Sequence, residues 1–94
     1  MTQKFKCDVG GSIGYSTKPV GLTTYLFVQP WADDKNVVGD TTATWHIELC
    51  NQPDHAIPVT EDSGTIQTNI SKAAGAIVSV RNTGGWPFWC WTDY

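Results

Sequence analysis

Positive charge is scarce in this 94-residue chain, which has six Lys and Arg residues against nine Asp and Glu and a formal net charge of −3. A surface that binds nucleic-acid phosphates needs clustered cations, and here only Lys4 and Lys6 lie close together. We therefore expect no nucleic-acid partner. Charged residues make up 16% of the chain and hydrophobic residues 40%, which indicates a folded domain rather than a disordered segment.

Long apolar runs are also missing. No window approaches the roughly 18 consecutive apolar residues of a membrane-spanning helix, so we expect no transmembrane segment. The first eight residues lack the apolar stretch of a signal peptide, so a cytoplasmic location is the default expectation. The length fits one domain, residues 1–94.

The sequence carries no recognisable zinc signature, because it has neither a C-x-x-C motif nor two His residues at ligand spacing. The acidic loop after Trp31 offers oxygens for calcium, but its spacing does not match an EF-hand. His46 and Glu48 share one face of a predicted strand, where a solvated surface is the simpler interpretation than an ion site. We therefore predict no metal and no cofactor.

Signals for catalysis are weak. The glycine-rich stretch 10–14 lacks the spacing of a nucleophile elbow or of a phosphate-binding loop. His46 and Cys50 share a strand face but lie about 13 Å apart along it, too far for a nucleophile and its base. The other His, His55, falls in a predicted loop and could approach a thiol. We expect the chain not to be an enzyme.

The number of cysteines is odd, so at least one thiol stays outside any intramolecular bridge. Without an export signal, the default expectation is three reduced, mostly buried thiols. A single bridge, with three candidate pairings, remains open. The cysteines are Cys7, Cys50 and Cys90.

The dominant hydrophobic period is two, which is typical of β-strands. Between the strands lie turn-rich stretches at residues 10–21 and 51–64, and only residues 71–76 could form a helical turn. The pattern predicts an all-β fold, a small antiparallel β-sandwich or barrel of about six strands. The predicted strands are residues 4–9, 25–31, 41–50, 65–70, 76–81 and 86–93.

Two of these strands place tryptophans on defined faces. In 41–50, Trp45 lies on the apolar face, together with Ala43, Ile47 and Leu49, and is expected in the core. In 86–93, Trp86 and Phe88 can share that core. Trp89 and Trp91 must then point to the opposite face, about 7 Å apart.

An outward-facing pair of indoles predicts a binding surface. Flat indoles stack on the apolar C–H faces of sugar rings, while polar side chains bind the hydroxyls. The most specific hypothesis is a lectin-like carbohydrate-binding module. We expect it to form a small homo-oligomer, because several weak, shallow sugar sites on one assembly bind with higher avidity than a single site. The candidate ligand-binding residues are Trp31, Asp33, Asp34, Asn36, Trp86, Trp89 and Trp91.

Other classes of function fit the same aromatic strand. It could pack a partner chain in a viral or other assembly, because aromatic residues dominate interface hot spots. It could instead lie at a membrane interface, where an indole keeps its polar atom in water. A loop or a second copy could also cover the strand, with no ligand involved.

Overall fold

The chain folds into eight β-strands in two antiparallel sheets, as a computed structural model shows. The structure describes residues 2–19, 21–48, 51–70 and 76–94. No helix in this part of the chain is long and apolar enough to cross a membrane. The strands are β1 (Phe5–Cys7), β2 (Ser12–Ser16), β3 (Tyr25–Pro30), β4 (Thr41–Ile47), β5 (His55–Val59), β6 (Ile66–Asn69), β7 (Ile77–Asn82) and β8 (Phe88–Thr92).

Each sheet has four strands, and together they form a sandwich. The first sheet has the order β1-β8-β3-β6, and the second has the order β2-β7-β4-β5. The all-β antiparallel fold predicted from the sequence is therefore confirmed, as a sandwich. Strands β8 and β3 occupy the centre of the first sheet, so the side chains of both are flanked by neighbours on either side.

The six predicted strands all exist, but the count was too low by two. β2 and β5 lie in stretches that were interpreted as turns, because Gly14 interrupts one and Pro58 the other. Both are edge strands of the second sheet, where a proline that cannot donate to the ladder is tolerated. His55 begins β5 and pairs with Trp45, so its placement in a loop was wrong.

Two sequence expectations fall on residues outside the described part of the chain. Cys50 and Leu49, predicted at the end of the strand over 41–50, are among them, as is nearly all of the helical turn predicted over 71–76.

The core lies between the sheets and follows the period-two pattern. Strand β4 alternates buried and half-buried residues along its whole length, and β8 buries Phe88, Cys90 and Thr92. Burying a large apolar side chain contributes about 1.5–3 kcal/mol, so Trp45, Ile47 and Phe88 of these two strands each stabilise the sandwich. Trp45 is 2% exposed, which confirms its predicted place in the core.

One buried amide connects three parts of the sandwich. Asn82, at the end of β7, donates from Nδ2 to the carbonyl oxygens of Cys7 (3.1 Å) and Trp86 (2.8 Å). Its Oδ1 accepts hydrogen bonds from Thr41 Oγ1 (2.9 Å) and from the backbone N–H of Gly84 (3.0 Å). Both N–H donors and both lone pairs of the amide oxygen are thus used. These hydrogen bonds connect β1, β4 and the loop before β8.

Cys7 and Cys90 are free thiols buried in the core. Burial raises the pKa of both, to about 11 for Cys90, which also contacts the Tyr15 hydroxyl at 3.4 Å. The expectation of reduced, buried thiols is confirmed for these two.

Candidate functional site

The outer face of the first sheet carries the two tryptophans of β8. Because Phe88, Cys90 and Thr92 point into the core, Trp89 and Trp91 point to the opposite side, as the sequence pattern predicted. Both indoles are half-buried rather than fully exposed. Side chains of the neighbouring strands account for that partial cover.

Strand β3 supplies the first of these neighbours. Phe27 pairs with Trp91, and their rings stack with centroids 5.4 Å apart and planes 13° apart. The sequence interpretation missed Phe27, because it treated 25–31 as one continuous apolar run. The alternation of Phe27 with the fully buried Leu26 and Val28 is the signal that identifies it as outward-facing.

Gln29 lies beside Trp89 on the same face and was also missed. Its side-chain oxygen Oε1 is buried and has no hydrogen-bond partner among the described residues. Most buried polar atoms are paired, so an orphaned acceptor beside an indole is unusual.

Two lysines from the start of the chain cover the other side of β8. Lys6 on β1 pairs with Trp89, and Lys4 lies directly before β1. The Lys4 ammonium is 5.1 Å from the centroid of the Trp89 ring and 5.4 Å from that of Trp91, within the range of cation–π attraction. Lys4 therefore bridges the two indoles.

At one end of the sheet, the aromatic residues continue onto loops. The Lys6 ammonium is 4.0 Å from the centroid of the Trp31 ring, and Trp31 lies 5.9 Å from Trp86 at an angle of 49°. We call Phe27, Trp31, Trp86, Trp89 and Trp91, with Lys4 and Lys6, the aromatic face.

Trp86 does not share the core with Trp45, contrary to the sequence expectation. It is half-buried, and its indole Nε1 donates to the carbonyl oxygen of Trp31 at 2.9 Å. Gly39 packs against the indole so closely that a Cβ there would lie 2.7 Å from Trp86 Cδ2. A covered indole N–H is usually paired with an acceptor, and for Trp86 the carbonyl group of Trp31 supplies it.

The acidic loop that follows Trp31 has a defined turn geometry. Asp33 Oδ1 accepts hydrogen bonds from the backbone N–H groups of Lys35 and Val37, each at 2.9 Å. Asn36 adopts a left-handed conformation with φ of 59°, which Asn tolerates better than most residues. Asp33 and Asn36 thus shape the loop, whereas Asp34 is exposed. Among the described residues, no three or more His, Cys, Asp or Glu side chains are grouped to hold a metal ion.

The outer face of the second sheet has a different character. It contains a shallow polar cavity of about 160 Å³, whose lining includes His46, Asp54, Ser79 and Arg81. His46 Nδ1 is 2.8 Å from Asp54 Oδ1, yet makes no hydrogen bond of acceptable geometry among the described residues. The contact is therefore an ion pair only when the imidazole is protonated. Among the described residues that line this cavity, His46 is the only one with an aromatic ring.

Neither of the two thiols in the described part of the chain is prepared for nucleophilic chemistry. The raised pKa values of Cys7 and Cys90 keep both thiols protonated at neutral pH, and the thiolate is the nucleophile. His55 stacks on Trp45, with ring centroids 4.2 Å apart, so its ring faces the core aromatic residue. That the chain is not an enzyme stays a prediction.

No family model and no curated protein sequence matches the chain.

Proposed function

We propose that the protein is a non-enzymatic, lectin-like carbohydrate-binding module and that its ligand binds on the aromatic face. The observation that carries the proposal is the row of half-buried indoles on the outer face of a central strand, with Trp91 stacked on Phe27. Rings held by cross-strand neighbours lose little conformational entropy on binding, so they suit a flat ligand such as a sugar ring.

Polar groups at the edges of the rings complete the proposed site. Gln29, which pairs with Trp89, is the candidate to bind one hydroxyl once its side chain turns toward the ligand, and the exposed Asp34, in the loop after Trp31, is the candidate to bind another. Asp33 and Asn36 contribute by fixing the loop that carries Asp34. This division of roles refines the prediction that all three polar residues bind the ligand.

The test is binding of the labelled protein to a broad glycan array, with and without calcium. We expect binding to a coherent family of sugars, and we expect Trp91→Ala to abolish it while the fold survives. His46→Ala, on the outer face of the second sheet, is the matched control and should bind normally. Sugar binding by Trp91→Ala equal to that of the unmodified protein would contradict the proposal.

A specific observation also favours a second candidate, a subunit that packs against another copy of itself. Phe5 lies on the edge strand β1, where it pairs with Cys90 on the core side of the first sheet, and is 50% exposed. Open edges with apolar side chains are prone to pair with other chains. Sedimentation velocity over a dilution series, with acrylamide quenching of tryptophan emission, tests this. An oligomer that survives dilution with shielded indoles would favour the assembly function; a monomer with quenchable indoles would exclude it.

A further inference from the structure

The aromatic face carries positive charge that the overall composition does not suggest. The chain has a net charge of −3, yet Lys4 and Lys6 both lie over rings of this face. Lys6 is partly neutralised by Asp8, whose Oδ1 lies 3.4 Å from its ammonium. Lys4 takes part in none of the ion pairs of the described residues.

The Lys4 ammonium lies over both indoles of strand β8. Its distances to the Trp89 and Trp91 centroids differ by only a few tenths of an ångström, so it lies over the boundary between the two rings. An ammonium group has three N–H donors and no acceptor. Attraction to the ring faces uses none of these donors in a strong hydrogen bond, so they remain available to an anion.

We propose that the preferred ligand of the aromatic face is an acidic glycan, whose carboxylate or sulfate binds the Lys4 ammonium while a sugar ring contacts Trp89 or Trp91. This inference rests on the proposed carbohydrate-binding function. A neutral sugar can accept a hydrogen bond from this ammonium through a hydroxyl, but it brings no opposite charge. An acidic sugar adds the attraction between its anionic group and the ammonium at the same place.

The preference for acidic over neutral sugars is limited, because the Lys4 ammonium and the bound anionic group form an ion pair that is exposed to solvent. Exposed ion pairs contribute at most about 1 kcal/mol, so we expect acidic oligosaccharides to bind up to about fivefold more tightly than neutral ones. The preference should shrink as salt is added, because exposed charges are screened. Single-stranded nucleic acid also combines stacking with cations, but a groove that follows its backbone needs more positive charge than two lysines provide.

The experiment uses calorimetric titration of the full chain with four probes of matched length. These are a neutral galactose oligomer, a galacturonic acid oligomer, a sulfated galactose oligomer and oligothymidylate. The two acidic sugars show whether carboxylate or sulfate is preferred. Lys4→Met is the test variant. Arg81→Met is the matched control, because Arg81 also lacks an ion-pair partner among the described residues but lies on the other sheet.

We expect at least one acidic sugar to bind more tightly than the neutral one, with the preference lost in Lys4→Met and kept in Arg81→Met. Affinity for the neutral oligomer should survive in Lys4→Met, which also shows that the variant is folded. Equal binding of neutral and acidic sugars, or a preference that survives Lys4→Met, would overturn this inference and leave the carbohydrate proposal standing. Absence of binding to all three sugars would overturn both, as would tighter binding of oligothymidylate.

Discussion

Trp91 and Phe27 form an offset stack across strands β8 and β3, with ring centroids 5.4 Å apart and planes 13° apart. These strands pair in the middle of the first sheet, so the stack sits on its best-supported part. Lys4 lies over Trp91 as well, at 5.4 Å from its centroid. The indole is therefore positioned by contacts from both neighbouring parts of the sheet.

Removing the ring that supports Trp91 should weaken ligand binding even though Trp91 itself is kept. Phe27→Ala removes an aromatic pair of about 0.5–1.5 kcal/mol and frees the indole to change rotamer. We expect a several-fold loss of affinity for whichever oligosaccharide binds the unmodified protein, together with a drop of about 1–2 kcal/mol in the free energy of unfolding. Titration and urea denaturation measure the two effects.

Ile77→Ala is the control for Phe27→Ala, because Ile77 is an apolar residue that is 53% exposed on the other sheet. It should leave both the affinity and the free energy of unfolding nearly unchanged. An unaltered affinity in Phe27→Ala would mean that the stack does not position Trp91 for binding.

Gly39 and Gly85 make a matched pair for testing how Trp86 is held. A Cβ at Gly39 would lie 2.7 Å from Trp86 Cδ2, whereas at Gly85 it would meet nothing within 4 Å. Gly39→Ala should displace the indole, weaken its hydrogen bond to the Trp31 carbonyl and lower the free energy of unfolding by about 1–3 kcal/mol. Gly85→Ala should be nearly neutral. Urea denaturation of the two variants provides the comparison, and equal stabilities would contradict the packing described for Gly39.

Period-two alternation was enough to predict the fold class, because the strands that form the core show it in their own sequences. In β4 and β8, every second side chain points into the core. The edge strands β2 and β5 were missed for a physical reason. An edge strand tolerates Gly14 and Pro58, and these residues are also the local signals of turns.

The site was predictable only where a single strand defines it. Alternation along β8 places Trp89 and Trp91 on one face without reference to any other strand. The contributions of Phe27 and Lys4 depend on the registers of β3 and β1 against β8. Those registers join segments that are far apart in the sequence, and local sequence patterns contain no information about them.

Asn82 should be one of the most sensitive polar positions in the chain. It is 2% exposed and bonded to four groups, so Asn82→Ala leaves buried donors and acceptors unpaired. We expect a loss of about 2–4 kcal/mol in the free energy of unfolding, measured by urea denaturation. Thr83→Ala, next in sequence but exposed, should cost less than about 1 kcal/mol. A cost for Asn82→Ala as small as that would show that the four hydrogen bonds contribute little to stability.

The core thiols should be protected from alkylation in the folded state. Burial raises the pKa of Cys90 to about 11 and raises that of Cys7, so neither offers an accessible thiolate at pH 8. In a Cys50→Ser variant, iodoacetamide should label no thiol until urea unfolds the chain, and two thiols thereafter. Mass spectrometry counts the labels. Fast labelling of either thiol in the native protein would contradict its burial.

Acid should destabilise the fold partly through Asp93, near the end of the chain. Burial favours a higher pKa for this carboxyl, but hydrogen bonds from the Tyr25 backbone N–H and the Lys18 ammonium, each at 2.9 Å, outweigh it and lower the pKa. A lowered pKa in the folded state means that the carboxylate stabilises the fold. That stability is fully present above the unfolded-state value of about 3.9 and is lost as the pH falls through the folded-state value.

Asp93→Asn should therefore reduce stability at neutral pH and flatten its decline below about pH 4. The free energy of unfolding, measured by urea denaturation at a series of pH values, tests both expectations. Asp34→Asn removes an exposed carboxylate and should leave the profile close to that of the unmodified protein. If Asp93→Asn shows the same acid decline as the unmodified protein, then other carboxylates dominate it, and the contacts with Tyr25 and Lys18 add nothing that depends on charge.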